Sequence, residues 1–226
     1  MKKITFAIIL AMFSYSSASA EIGVNVGLSG NAALFAATAT ELDVGTHGTT
    51  TGQDEKQSDT EILGLGYGSV FIEKTLGSMI TLGVDYVFSP IETETSESIV
   101  MDLLGDGDGA ATAKTNKVQV DFEGLTTFYV AVNVTENMYV KAGAMSVDIV
   151  TKESLDTGST YGDTDTDGTM LGIGFSTTFD NGMFLRGESR VMEWNSAAVT
   201  SDTGANKITM DSLDGVSGVL SIGKSF

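Results

Sequence analysis

From Asp211 to Phe226 the chain reads DSLDGVSGVLSIGKSF. Counting back from the end, Phe226, Ile222, Leu220 and Val216 share one parity, while Ser225, Gly223, Ser221 and Ser217 share the other. A period of two sends alternate side chains to opposite faces of a strand, so this segment has one apolar face and one small, polar face. Similar alternation recurs in seven earlier segments. No run of about 18 apolar residues follows the start of the chain, so a transmembrane helix is not offered. Strands of this kind either pack their apolar faces together, as in a soluble secreted β-sandwich, or turn them to lipid around a closed barrel.

Met1-Lys2-Lys3, the apolar run Ile4 to Tyr15 and Ala18-Ser19-Ala20 read as a cleaved secretory signal peptide over residues 1–20. The mature chain is expected to begin at Glu21 and to form one domain, residues 21–226, a length that suits an all-β barrel. The full chain carries 30 acidic and 12 basic residues, a net charge of −18. It becomes more negative still when Lys2 and Lys3 leave, which excludes nucleic acid as a partner because its phosphates would be repelled. An exported chain with no cysteine holds together without disulfides. Pro90 is the single proline, which favours strands.

The first strand starts at Ile22, with Val24, Val26 and Leu28 in phase. Its parity runs through Ala32 and Leu34, and Phe35 breaks it, so a bend or bulge is expected there. The second, from Ile62 to Ile72, sets Leu63, Leu65, Tyr67 and Phe71 against Gly64, Gly66 and Gly68. The third, from Ile80 to Phe88, stops at Pro90, which cannot donate a ladder bond. In the fourth, Val118, Val120, Phe122, Thr126, Phe128 and Val130 share a face opposite Lys117, Gln119, Asp121, Glu123 and Thr127. The fifth, from Met138, changes apolar parity beyond Met145 to Val147 and Ile149, which predicts a bulge. The sixth and seventh, Thr169 to Phe179 and Met183 to Met192, flank Asp180-Asn181-Gly182, where Asn-Gly supplies the positive φ of a tight hairpin. The eighth runs from Ile208 to Phe226. Ile99 to Leu104, inside the longest connection, reads as a strand extension or a helical turn.

Long and short connections alternate along these eight strands. The long ones, residues 43–61, 90–117, 151–168 and 193–207, hold more than half of the acidic residues. Transmembrane barrels place short turns on the periplasmic rim and long loops on the extracellular rim. The expected fold is therefore an all-β, eight-stranded antiparallel transmembrane β-barrel with an up-and-down meander. The glycines of the second and sixth strands are expected to point inward, where small residues relieve crowding.

The signal peptide, Tyr139-Val140-Lys141-Ala142-Gly143, Leu185-Arg186-Gly187-Glu188 and the terminal Phe226 resemble the small eight-stranded outer-membrane proteins of Gram-negative bacteria, the opacity-protein, OmpX-like and OmpA-barrel group. The resemblance covers the mature chain and rests on pattern. It implies residence in the bacterial outer membrane, with outer-membrane lipid as surroundings. It also implies that Leu220, Ile222 and Phe226 carry an assembly signal read by the barrel-assembly machinery. Lys224 departs from that signal, although a lysine near the periplasmic rim can snorkel to water.

By parity, Asp85, Asp121, Glu123, Lys141, Arg186, Glu188 and Arg190 point away from lipid and form a candidate lumen charge network. An eight-stranded barrel is just wide enough for side chains to fill it, and buried charges must pair. The set reads as a structural plug in preference to a gate in which Arg186 and Arg190 switch partners.

Asp163, Asp165, Asp167 and Gly168 resemble the start of a helix-loop-helix calcium loop. Its twelfth position would be Gly174, where that loop needs a bidentate glutamate, so the match fails. A looser site with Asp106 and Asp108 yields to solvated acidic loops. His47 has no recognisable nucleophile beside it, and Trp194 reads as an interface aromatic. No residue is assigned to catalysis, to a cofactor or to a metal. The function expected is non-enzymatic: envelope integrity, or an extracellular partner met through the acidic loops. A small channel or carrier for hydrophobic or small polar solutes is the alternative, and a lipid hydrolase or protease the third reading.

Overall fold

Each connection, short or long, brings the chain back beside the strand it has just left, so neighbours in the chain become antiparallel neighbours in the sheet. The computed structural model describes residues 22–43, 55–102, 112–155, 160–202 and 206–226. The expected leader, Glu21 and His47 lie outside them, as do Asp106 and Asp108. The strands are β1 (Ile22–Asp43), β2 (Glu55–Leu76), β3 (Ile80–Val87), β4 (Ile91–Glu92), β5 (Ser96–Asp102), β6 (Thr112–Asn133), β7 (Met138–Leu155), β8 (Thr164–Thr178), β9 (Met183–Trp194), β10 (Ala197–Thr200) and β11 (Asn206–Ser225). β3, β4 and β5 follow one another along a single stave beside β6, interrupted around Pro90. β10 adds to the upper part of β11.

The staves pair in chain order, and β11 returns to β1 from Asn25↔Ser225 to Asp43↔Asn206. Eight staves thus close a ring. At the seam Val24 and Phe226 exchange both backbone hydrogen bonds, at 3.2 and 2.9 Å. A sandwich would leave β1 and β11 as separate edges, and their pairing excludes it. β5 shows that Ile99 belongs to a strand extension.

Over the lower part of the barrel the outer face is apolar. Leu28, Leu34, Leu171, Ile173, Val216 and Leu220 are exposed there, while Asn25, Ser29, Asn31, Asp85, Lys141 and Glu188 are buried inside. Water would penalise this inside-out arrangement, and a bilayer accommodates it. Higher up, the two faces exchange character. On β7, Met138 and Val140 face outward and are exposed, whereas Met145, Val147 and Ile149 are buried inside with the parity of Tyr139 and Lys141. The bulge expected on this strand is therefore absent. Apolar residues change sides because the strand has left the apolar belt, and the barrel continues above it as a wall around an apolar core.

The bulge belongs to the partner strand. Gly124 and Leu125 of β6 together face Val147 alone, and Gly124 has φ 64°. Below it Phe128 and Val130 face outward; above it Val120 and Phe122 pack against the inner core. The single face expected for Val118 to Val130 is thus split in two. Gly124→Ala is expected to cost about 1–2 kcal/mol, because a Cβ is disfavoured in the left-handed region; urea unfolding in lipid vesicles reads it.

Phe35 also keeps parity, pointing inward. The register shift of β1 lies between Thr38 and Ala39, where Asp211 of β11 is the extra residue. Gly64 and Gly66 of β2 face outward, against expectation, because the larger Leu63, Leu65 and Tyr67 pack inward. Several strands overrun their expected ends, since ladder bonds continue where the apolar alternation inverts.

Candidate functional site

Inward parity brings residues from β1, β2, β3, β6, β7 and β9 to one layer of the lumen. Arg186 Nη1 reaches Glu73 Oε1 at 2.5 Å, and the same carboxylate accepts from Tyr129 Oη at 2.7 Å and Asn25 Nδ2 at 3.0 Å. Glu188 accepts from Lys141 Nζ at 2.7 Å, from Tyr139 Oη at 2.6 Å and from Arg190 Nε. Lys141 also lies 4.2 Å from the centre of the Tyr129 ring. Asp85 is buried, accepts from Ser69 and faces the charges of Arg190 and Lys141. Three carboxylates, Glu73, Asp85 and Glu188, therefore meet three cations, Lys141, Arg186 and Arg190. Charges removed from water persist only when paired and hydrogen-bonded, and every cation of this layer faces a carboxylate, although Arg186 Nε itself is buried with no hydrogen-bond acceptor.

Glycines make the layer possible. Gly27, Gly83, Gly174 and Gly223 stand directly opposite Phe71, Tyr129, Tyr139 and Phe184 on the neighbouring strands. A Cβ at any of the four would run into the facing ring. Each ring lies flat across the wall over a missing side chain, which places the Tyr129 and Tyr139 hydroxyls on their carboxylates.

Above this layer the lumen is apolar. Phe35, Val87, Leu125, Met145, Met170 and Met192 form its buried core, with Leu63, Phe122 and Trp194 packed against them. Trp194 is thus an inward residue, seated over Gly168. The interface role expected for it is corrected by that placement.

Of the residues expected in the lumen network, Asp85, Lys141, Arg186, Glu188 and Arg190 come together. Asp121 and Glu123 do not, because Gly124 reverses the parity of the strand above it. Asp121 lies on the outer wall, paired with the half-exposed Lys152 and bonded to Gln119 at 2.9 Å. Glu73 is the member that the sequence reading missed. It falls in the expected connection after the second strand, yet shares the parity of Phe71, and extending that parity by one step finds it. Asp165 and Asp167 sit on the outer face of β8, and Asp163 accepts from the Thr151 amide at 3.1 Å. Among the described residues, no group of three or more histidine, cysteine or acidic side chains is placed to hold a metal.

Leu220, Ile222 and Phe226 are all exposed on the outer face. Lys224 bends down to the β8–β9 turn, where Nζ donates to the Asn181 carbonyl at 3.1 Å.

An apolar belt, a closed ring and an ion-paired interior now stand together. The chain has the architecture of a small outer-membrane β-barrel. No family model and no curated protein sequence matches it. Among solved structures it is similar to the outer-membrane protein AlkL in lipid bilayers, with 14% identity, 95% of each chain covered and a TM-score of 0.44. It is also similar to OprG from Pseudomonas aeruginosa, with 11% identity, 87% of this chain and 96% of that one covered and a TM-score of 0.41. Ail of Yersinia pestis gives 7% identity, 88% and 99% coverage and a TM-score of 0.36.

Proposed function

We propose that this barrel is a non-conducting, non-enzymatic surface protein of the bacterial outer membrane. In this reading it acts through the wall and loops raised above the bilayer, in envelope integrity or contact with an extracellular partner. The observation that carries the reading is the filling of the lumen by two successive layers, one ion-paired and one apolar. An ion would have to displace paired charges and then cross an apolar core, and each step is costly. Outer-membrane lipid surrounds the belt. Leu220, Ile222 and Phe226 present the assembly signal, with Lys224 drawn down to the turn and away from acyl chains.

Planar-bilayer recording of the folded full chain tests this. No reproducible openings are expected at any applied voltage. Stepwise openings that vanish when the barrel is unfolded would overturn the reading in favour of a channel. For the hydrolase or protease reading, which rests on His47, the readout is lipid or peptide cleavage abolished by His47→Ala; none is expected.

A further inference from the structure

The outer wall differs in charge from one side of the ring to the other. On β1 and β2 every second residue faces outward, and none of these is acidic from Leu28 to Leu42 or from Lys56 to Val70. Asp59 and Glu61 of β2 take the inward parity, with Leu63. On the far wall Glu123, Asp148 and Asp165 stand side by side on β6, β7 and β8. In a chain of net charge −18, β1 and β2 form the sector that an anion can approach.

Three tiers follow one another up this sector. At the level of the apolar belt a groove of about 980 Å³ crosses β9, β11, β1 and β2. Its floor is Ser189, Gly218, Ala32 and Gly66, in register on four staves, and Leu34 and Val216 border it. An added Cβ at Gly218 would meet nothing within 4 Å, so packing within the chain does not require the groove. Above it come two ranks of hydroxyls: Ser212, Thr38 and Thr60, then Thr209, Thr40 and Ser58. The Thr38 and Thr60 hydroxyls lie 3.0 Å apart, and Thr40 donates to Asp211 at 2.5 Å. Higher still, Leu42 is flanked by Lys56 and Lys207, both exposed. At about 3.3 Å per residue and a strand tilt of about 40°, the lysines stand roughly 20 Å above Leu34.

We propose that this sector binds a phosphorylated glycolipid of the outer leaflet. An acyl chain lies in the groove, sugars meet the hydroxyl ranks, and Lys56 and Lys207 hold a sugar-borne phosphate over Leu42. Hydroxyls both donate and accept, as sugars require, and ammonium groups bind phosphate as point charges. The order apolar, hydroxyl, cationic is the order along such a molecule from its tail outward. Asp214 and Glu193 are neighbours on β11 and β9 above the groove, and they direct an anionic headgroup toward β1 and β2. A phospholipid would fill the groove, but its phosphate would stay far below the lysines. A second copy of this chain would set lysine against lysine. The site lies on the outer wall and goes beyond the surface-protein reading, since it does not depend on whether the lumen conducts.

The test uses the folded full chain in uncharged detergent micelles and fluorescently labelled lipopolysaccharide that keeps its phosphorylated core but lacks the outer polysaccharide. A chelator is present, so that divalent cations do not bridge phosphate to the acidic wall. Anisotropy is read against protein-free micelles. Binding is expected to weaken about tenfold or more for the dephosphorylated lipid, for the Lys56→Glu, Lys207→Glu variant and for the groove-filling Gly66→Leu, Gly218→Leu variant. All four positions are exposed on the outer face, so both variants should unfold at the same urea concentration as the parent. Lys117→Glu, on the far wall, should leave binding unchanged. Equal binding of the dephosphorylated lipid, equal binding of phosphatidylglycerol, or equal binding by either double variant would each overturn the proposal. So would binding that appears only when calcium replaces the chelator, or none above the micelle baseline.

Discussion

Replacing Glu188 with alanine is expected to destabilise the barrel by about 3–5 kcal/mol. Its carboxylate is the common acceptor for Lys141, Arg190 and Tyr139. The Lys141 and Glu188 side chains are only 5% and 3% exposed. Losing the carboxylate leaves cationic groups in a space that water does not reach, and most of the cost is their desolvation, no longer offset. Urea unfolding in lipid vesicles, followed by the fluorescence of Trp194, measures it. The double variant Glu188→Ala, Lys141→Met should recover a large part of the loss, because it removes the charge left behind. Glu97→Ala gives the contrast: its pair with Lys117 is about half exposed, and its loss should cost less than about 1 kcal/mol. If Glu188→Ala costs no more than Glu97→Ala, the ion-paired layer is hydrated and the plug reading fails.

Gly174→Val is expected to have the next largest effect. A Cβ there overlaps the Tyr139 ring, and the ring cannot move without taking its hydroxyl off Glu188. Overpacking costs about 1–3 kcal/mol, and losing a hydrogen bond to a charged group adds about 1.5–3 kcal/mol. In a Tyr139→Ala background the same substitution should cost much less, a coupling that a double-mutant cycle isolates. Gly218→Val makes the sign of the argument visible. That glycine faces outward with nothing within 4 Å of an added Cβ, so valine there should be neutral or mildly stabilising, since glycine weakens a strand interior. Equal losses at the two positions would mean that flat ring stacking does not organise the lumen.

Those two glycines show how much of the fold is legible in sequence. Both sit in alternating segments, and alternation alone decides that each segment is a strand and which residues share its face. The turn at Gly182, with φ 79°, and the stop at Pro90 are equally local, being properties of single backbones. The eight staves, their order and the shared face of Arg186, Glu188 and Arg190 follow from such local facts. The use of each glycine does not. Gly174 is required because register sets it against Tyr139, and register depends on the neighbouring strand.

Asp121 and Glu123 mark the other limit. Their parity is legible, but the positive-φ residue at Gly124 resets it; an isolated glycine in a strand hints at a bulge, yet the apolar alternation keeps one parity on both sides of it, from Val118 to Phe122 and from Phe128 to Val130. Val147 and Ile149 mislead in the opposite direction: they suggest a bulge in a strand that runs without one. By itself the sequence determined strands, faces, turns and the excess of acid in the long connections, because those depend on neighbouring residues and on a period of two. Only the tertiary structure decided which face is inside at each height. That choice depends on what lies across the wall, lipid below and water above, and the chain carries the same alternation through both.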